Sequence, residues 1–231
     1  MHFHLPKPLH GWREFVGEVG IIVIGVLIAL GAEQIVEGWH WRHVVSAERV
    51  ALNEDVADIW NAMSARMVIQ QCMDQRLAEL QTIFERRSRG QPLGLVRPIG
   101  RPSVWSAHTT ALQIATADQS LSHMPADAKQ AYFGVYATYN EFERDSFEER
   151  ASWRTLELLN DPQVLDEADW RDLRRAYRDA VDSNRLMKVN LLSGPSGYWT
   201  APFAPFPVMP LNKKALTIDV VQELCRPATT K

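Results

Sequence analysis

The stretch Val19-Gly-Ile-Ile-Val-Ile-Gly-Val-Leu-Ile-Ala-Leu-Gly-Ala32 carries no charged side chain. Extended to Phe15–Val36 it is interrupted only by Glu18 and Glu33, near its two ends. A helix of about 22 residues rises roughly 33 Å, which matches a hydrocarbon core of about 30 Å. Trp12 and Phe15 flank it on one side, Trp39 and Trp41 on the other. Such aromatic belts sit at the two membrane–water interfaces, and Arg13 and Arg42 can snorkel outward beside them. The reading is a retained transmembrane helix over residues 15–37, with Trp12, Trp39, Trp41 and Arg42 as interfacial anchors. A cleaved signal peptide is the rival, because Ala29-Leu30-Gly31 offers small residues after an apolar run. Against it stand a long polar start containing Pro6 and Pro8, Glu18 within the apolar stretch, and the second belt.

Working outward, Glu18, Ile22, Gly25, Ala29 and Ala32 follow helical spacing and share one face, with Val36 continuing it. Gly25-x-x-x-Ala29 is a pair of small residues of the kind that lets helices approach closely in lipid. A carboxylate within a span usually faces protein or water. This face therefore reads as a docking surface for a second copy or another membrane protein. The plainer alternative places Glu18 at headgroup depth, where a helix N-terminus favours an acid. Lys7, Arg13 and the terminal amine precede the span, while Arg42 and Arg49 follow it. This slight bias favours an inside N-terminus and a C-terminal domain outside the cytoplasm.

The whole chain has 231 residues, 25 Lys+Arg against 28 Asp+Glu, a net charge of −3, 46% hydrophobic residues and two cysteines. It is too apolar to be disordered throughout, too poor in cysteine for a disulfide scaffold, and lacks a global basic footprint for nucleic acid.

Beyond Gly38 the pattern stays helical to Arg89. Leu52, Val56, Ile59 and Met63, then Met73, Leu77, Leu80 and Phe84, recur at three- and four-residue steps. Arg66 and Gln70 weaken the stripe in the middle. The segment reads as one long helix continuing from the membrane, or as two hinged near His43–Ser46. Residues 90–103, with Gly90, Pro92, Gly94, Pro98, Gly100 and Pro102, form a loop. Its Leu93, Leu95, Val96 and Ile99 suggest packing, and Arg89, Arg97 and Arg101 an anion or headgroup contact.

Ser103 can cap a helix running to Ala117. Pro125 suits the first turn of the next helix, which runs to Leu159 and bears Tyr132, Tyr136, Tyr139, Phe142, Phe147 and Trp153. This aromatic stripe reads as core, with a ligand-stacking pocket as the alternative. A further helix, Glu167–Leu192, puts Trp170, Leu173, Tyr177, Ala180, Asn184, Met187 and Leu191 on one face, and Gly194-Pro195 is expected to stop it. Its other face, Arg171, Arg174, Arg175 and Arg178 with Asp172, Asp179 and Asp182, reads as a solvated mixed-charge surface. The run from Pro195 to Pro210 is rich in Pro and Phe and reads as an extended strap pegged by Phe203 and Phe206, or as a ligand for a partner's groove. A short helix is expected over Ile218–Cys225.

No phosphate-binding loop, dinucleotide fingerprint, nucleophile elbow or H-E-x-x-H motif occurs. Glu37-x-x-His40 has half of a di-metal spacing, and no second half is present. His2, His4 and His10 are loosely spaced in a short tail. No cofactor or catalytic residue emerges. Cys72 and Cys225 can form a disulfide outside the cytoplasm, or remain two buried thiols.

The stretch Gly17-Glu-Val-Gly-Ile-Ile-Val-Ile-Gly-Val-Leu-Ile-Ala-Leu30 resembles the N-terminal span of a family of uncharacterised bacterial single-span membrane proteins. There a Gly-Glu pair opens an Ile/Val/Leu/Gly helix. Trp105–Tyr139, a Trp-led helix followed by Leu121-Ser-His-Met-Pro125 and a Tyr-rich helix, is similar too. The resemblance implies a helical domain on a membrane anchor and carries over no catalytic residue.

The expected architecture is all-α. A short tail (1–14) precedes a transmembrane helix (15–37). Next comes a bundle domain (38–194) of about four or five helices, with a long juxtamembrane helix (38–89) and a loop (90–103). An extended Pro-rich tail (195–231) follows. The expected role is a single-pass interaction or structural module of the bacterial inner membrane. Its partners are the lipid bilayer and a second copy or another membrane protein, with no nucleic acid and no assigned small-molecule ligand. The alternative is a membrane-tethered ligand-binding domain that acts through a partner protein.

Overall fold

The computed structural model describes residues 11–199, 206 and 209–230, with backbone alone for Glu14 and residues 192–199. Phe203, most of the Pro-rich run, and His2, His4 and His10 lie outside the described residues. The architecture is all-α: helices α1 (Trp12–Val68), α2 (Gln70–Ser88), α3 (Thr110–Ala117), α4 (Ala126–Leu156), α5 (Glu167–Trp199) and α6 (Asp219–Cys225), with short 3₁₀ turns between the later ones. The single β contact among the described residues is an isolated antiparallel bridge between Leu95 and Thr229. The chain divides into two compact units, Met1–Glu48 and Arg49–Lys231.

In the first unit the stretch Val19–Ala32 carries no charge, and its large apolar side chains are exposed among the described residues. Ile21 is 74% exposed and Leu27 62%. No atom lies within 4 Å of a Cβ placed at Gly17, Gly20, Gly25 or Gly31. This helix, from Phe15 onward, is long and apolar enough to cross a membrane.

The second unit is assembled around the stripes that the periodicity marks out. Leu52, Val56, Ile59 and Met63 of α1 are buried, as are Met73, Leu77, Leu80 and Ile83 of α2. α4 packs along α5 as the most extensive helix pair, and α2 packs on α5 and α6. One core cluster joins Ile69, Met73, Leu77, Leu80 and Ile83 to Trp153, Leu156, Trp170, Leu173, Val221 and Leu224. α5 starts with a reciprocal cap. Asp166 Oδ1 accepts the N–H groups of Ala168 (2.6 Å) and Asp169 (2.8 Å), while Asp169 Oδ2 accepts that of Asp166 (2.9 Å). These backbone donors hold the Asp166 carboxyl below its ordinary pKa.

Several boundaries differ from the sequence reading. The helix over 38–89 is interrupted at Ile69, which separates α1 from α2, whereas His43–Ser46 is uninterrupted helix. Ser103 caps nothing: α3 begins at Thr110. The missing cap comes from another helix, because the Asp55 carboxylate of α1 accepts the Ala111 N–H at 2.9 Å in the first turn of α3. α5 continues beyond Gly194-Pro195 to Trp199. A helical proline donates no N–H, so the carbonyl one turn earlier, that of Leu191, goes without its usual donor there.

The C-terminal residues are bound along α2. Cys72 and Cys225 form a disulfide that closes 153 residues of chain. One turn on, the buried Arg76 guanidinium donates to the carbonyls of Glu223 (3.0 Å), Leu224 (3.0 Å) and Arg226 (2.6 Å), and to that of Pro98 (3.1 Å). It thereby adds donors at the C-terminal end of α6, where the Arg226 N–H also reaches the Glu223 carbonyl at 3.3 Å. Burial pulls the pKa of Arg76 below its ordinary value, with the Glu79 carboxylate opposing. Glu79 Oε2 accepts the Ala228 N–H at 3.1 Å, and Arg86 donates to the carbonyls of Leu93 (3.1 Å) and Thr230 (3.2 Å). The loop over 90–103 is drawn into the same assembly. Its Ile99 is fully buried, and Gly94, at φ +73°, leaves no room for a side chain beside the Arg86 guanidinium.

Candidate functional site

The face Glu18, Ile22, Gly25, Ala29 and Ala32 is exposed along its length in the first unit. Of the anchors, Trp12, Trp39 and Arg42 are exposed. Trp41 is half-buried and donates its indole N–H to Glu37 Oε1 at 3.4 Å. His43 packs edge-on against Trp39, 4.5 Å between centroids. Among the described residues no group of three His, Cys, Asp or Glu side chains can hold a metal.

The tyrosine row of α4 is core. Tyr132, Tyr136 and Tyr139 are buried, and each hydroxyl has a partner. Tyr132 donates to Asn53 Oδ1 (2.8 Å) and Tyr136 to Asp55 Oδ2 (2.7 Å). Tyr139 donates to Glu143 Oε1 (3.2 Å) and accepts the Ala107 N–H (2.7 Å). Burial pushes the Tyr139 hydroxyl up to about 12. It also raises Tyr136, where Asp55 adds to the effect. These rings offer a ligand neither a face nor an acid. Phe206 does act as a peg, buried 5.3 Å from the Tyr132 ring. Further along, the Pro210 carbonyl accepts the Trp60 indole N–H at 2.9 Å, and the Asn212 N–H reaches Ser64 Oγ at 3.1 Å.

A polar network crosses four helices in the middle of the second unit. The Arg66 guanidinium (α1) donates to Glu149 of α4 (Nη2–Oε1 2.9 Å, Nε–Oε2 3.2 Å), to Asn184 Oδ1 of α5 (2.9 Å) and to Gln70 Oε1 of α2 (2.8 Å). Gln70 and Asn184 both donate onward to Asp74 Oδ1, at 3.0 and 2.9 Å. Lys188 closes the chain at the surface, 2.7 Å from Asp74 Oδ2. Partial burial raises the Asp74 carboxyl, but the bonds from Lys188, Asn184 and Gln70 outweigh it and hold the group below its ordinary value. The network alternates in charge, and its members are hydrogen-bonded to one another.

The second unit also carries an open groove between α2 and α5, of about 690 Å³. Gln81, Phe84, Glu85 and Ser88 form one wall; Arg171, Arg174, Arg175, Tyr177 and Arg178 form the other. The half-buried Phe84 and Tyr177 rings meet at 5.3 Å and make its floor. Sequence periodicity alone leaves this face as solvated mixed charge, since nothing in it indicates that α2 supplies aromatic residues opposite the arginines. The loop arginines singled out from the sequence are engaged instead: Arg101 with Glu157 (3.3 Å), Arg97 with the Pro227 carbonyl (3.4 Å) and Arg89 with Glu85 (3.9 Å).

No family model, curated protein or solved structure matches the chain.

Proposed function

We propose that the chain is a membrane-anchored helical interaction or structural module of the bacterial inner membrane, with Arg49–Lys231 held on the periplasmic side. The uncovered apolar helix carries the reading. Leaving about 20 apolar residues in water forfeits most of their burial free energy, and lipid or a second membrane helix removes that cost. The aromatic residues at both ends fit interfacial belts. The Cys72–Cys225 bond favours an oxidising compartment, which supports the periplasmic side.

Paired C-terminal reporters, one active only in the periplasm and one only in the cytoplasm, test the placement. A periplasmic signal at full-length mass is expected; a cytoplasmic signal, or loss of the first 31 or so residues at a small-residue cleavage site, overturns it. Lateral association is assigned to the Glu18, Gly25 and Ala29 face. Glu18→Gln combined with Gly25→Leu and Ala29→Leu should weaken association in mild detergent, and unchanged association defeats that assignment.

A further inference from the structure

We propose that the α2–α5 groove is a binding site for a phosphate monoester carried on an aromatic or apolar body. Arg171, Arg174, Arg175 and Arg178 stand at i, i+3, i+4 and i+7, so all four reach one face over about 10 Å of helix. That spacing creates two like-charge pairs four residues apart, Arg171 with Arg175 and Arg174 with Arg178. Such pairs weaken a helix unless something neutralises them. Asp179 and Asp182 stand four residues after Arg175 and Arg178, but among the described residues neither forms an ion pair. Asp172 reaches Arg175 at 3.6 Å, and Asp166 lies in the field of Arg171. Arg174 and Arg178 make no ion pair among the described residues. The single acid on the groove wall, Glu85, already accepts a hydrogen bond from Gln81 (3.1 Å) and pairs with Arg89.

The floor sets the rest of the ligand. Phe84 and Tyr177 present aromatic surface at the foot of the arginines, with Trp170 edge-on to Phe84 at 6.2 Å. Guanidinium forks match phosphate oxygens two at a time, and a doubly charged monoester answers more than one of them. The volume lies within the usual range for small-ligand sites. The inference concerns Arg49–Lys231 alone and stands whichever side of a membrane that unit occupies.

The test is calorimetric titration of the full chain in a nonionic maltoside micelle at low salt, with phenyl phosphate and inorganic phosphate as probes. Phenyl phosphate should bind, and about tenfold more tightly than inorganic phosphate. Arg174→Gln with Arg178→Gln should weaken phenyl phosphate by about tenfold or more. Both side chains are exposed, so the melting temperature should hold or rise as like-charge pairs disappear. Arg171→Gln with Arg175→Gln is the second variant should the first fail to fold. Phe84→Leu should erase the preference for phenyl phosphate while leaving phosphate binding in place. No heat with phenyl phosphate at millimolar concentration, or equal affinity in the arginine variants, overturns the proposal. Repeating the titration in phosphatidylcholine nanodiscs with and without phosphatidic acid identifies the source. Competition by phosphatidic acid assigns the site to a lipid headgroup, and its absence assigns it to a soluble ester.

Discussion

Arg66 holds Glu149 through two nitrogens of one guanidinium, and each side chain is only 2% exposed. The pair joins α1 to α4 across the interior of the second unit, with Ser64, Asp145 and Ser146 also buried nearby in sequence. Breaking a buried ion pair from one side leaves an uncompensated charge, whereas replacing both partners with apolar groups removes the desolvation cost as well. Glu149→Gln should therefore lower stability by about 3–5 kcal/mol. Arg66→Met with Glu149→Leu should be less damaging than Glu149→Gln alone. Urea unfolding of the three proteins decides it, and a harmless Glu149→Gln refutes the account.

The Cys72–Cys225 bond removes conformational freedom from the unfolded chain over a long loop. Cys225→Ser should cost about 2–4 kcal/mol. Cys72→Ser and the double variant should cost the same, because all three remove one crosslink. Thermal melts with and without reductant should separate for the native chain and coincide for the variants. Alkylation before reduction should label neither cysteine.

Arg76→Gln withdraws donors from the carbonyls of Glu223, Leu224 and Arg226. Of these the Leu224 carbonyl is buried, and a buried acceptor left without a partner costs about 1–3 kcal/mol. The loss should appear as lower stability and as faster proteolysis after residue 211, read by mass spectrometry of the fragments. A cleavage pattern identical to that of the native chain contradicts the capping role.

His108 is exposed and lies 2.6 Å from Asp58. The hydrogen bond from the imidazole to the Asp58 carboxylate, and then that carboxylate's charge, raise the imidazole pKa above 6.5. A raised folded pKa contributes stability that is fully present below 6.5 and is lost as pH climbs through the folded value. The His108 ring-proton titration should have its midpoint above 6.5 in the native chain and return toward 6.5 in Asp58→Asn. Identical midpoints dismiss the pairing in solution.

Much of the helical skeleton is legible in the spacing of Leu52, Val56, Ile59 and Met63, and in the stripe from Trp170 to Leu191, because these helices bury one face each. The polar members of those stripes carry a signal that periodicity discards. Arg66, Gln70 and Asn184 stand at positions where the pattern calls for apolar residues, and they meet one another across helices. The start of α3 is illegible for a different reason: its cap, Asp55, lies 56 positions upstream. The groove escapes the sequence because its two walls belong to helices far apart in the chain, and each wall by itself resembles ordinary surface.

The attachment of the last residues to α2 also sets an order of events during synthesis. Ile83 and Leu80 share a core with Val221, Leu224 and Ala228, so part of their cover does not exist until residues 221–228 have left the ribosome. Until then the Arg76 guanidinium lacks three of its carbonyl acceptors and Cys72 has no thiol to oxidise with. A chain halted before residue 219 would leave Leu80 and Ile83 without that part of their apolar cover.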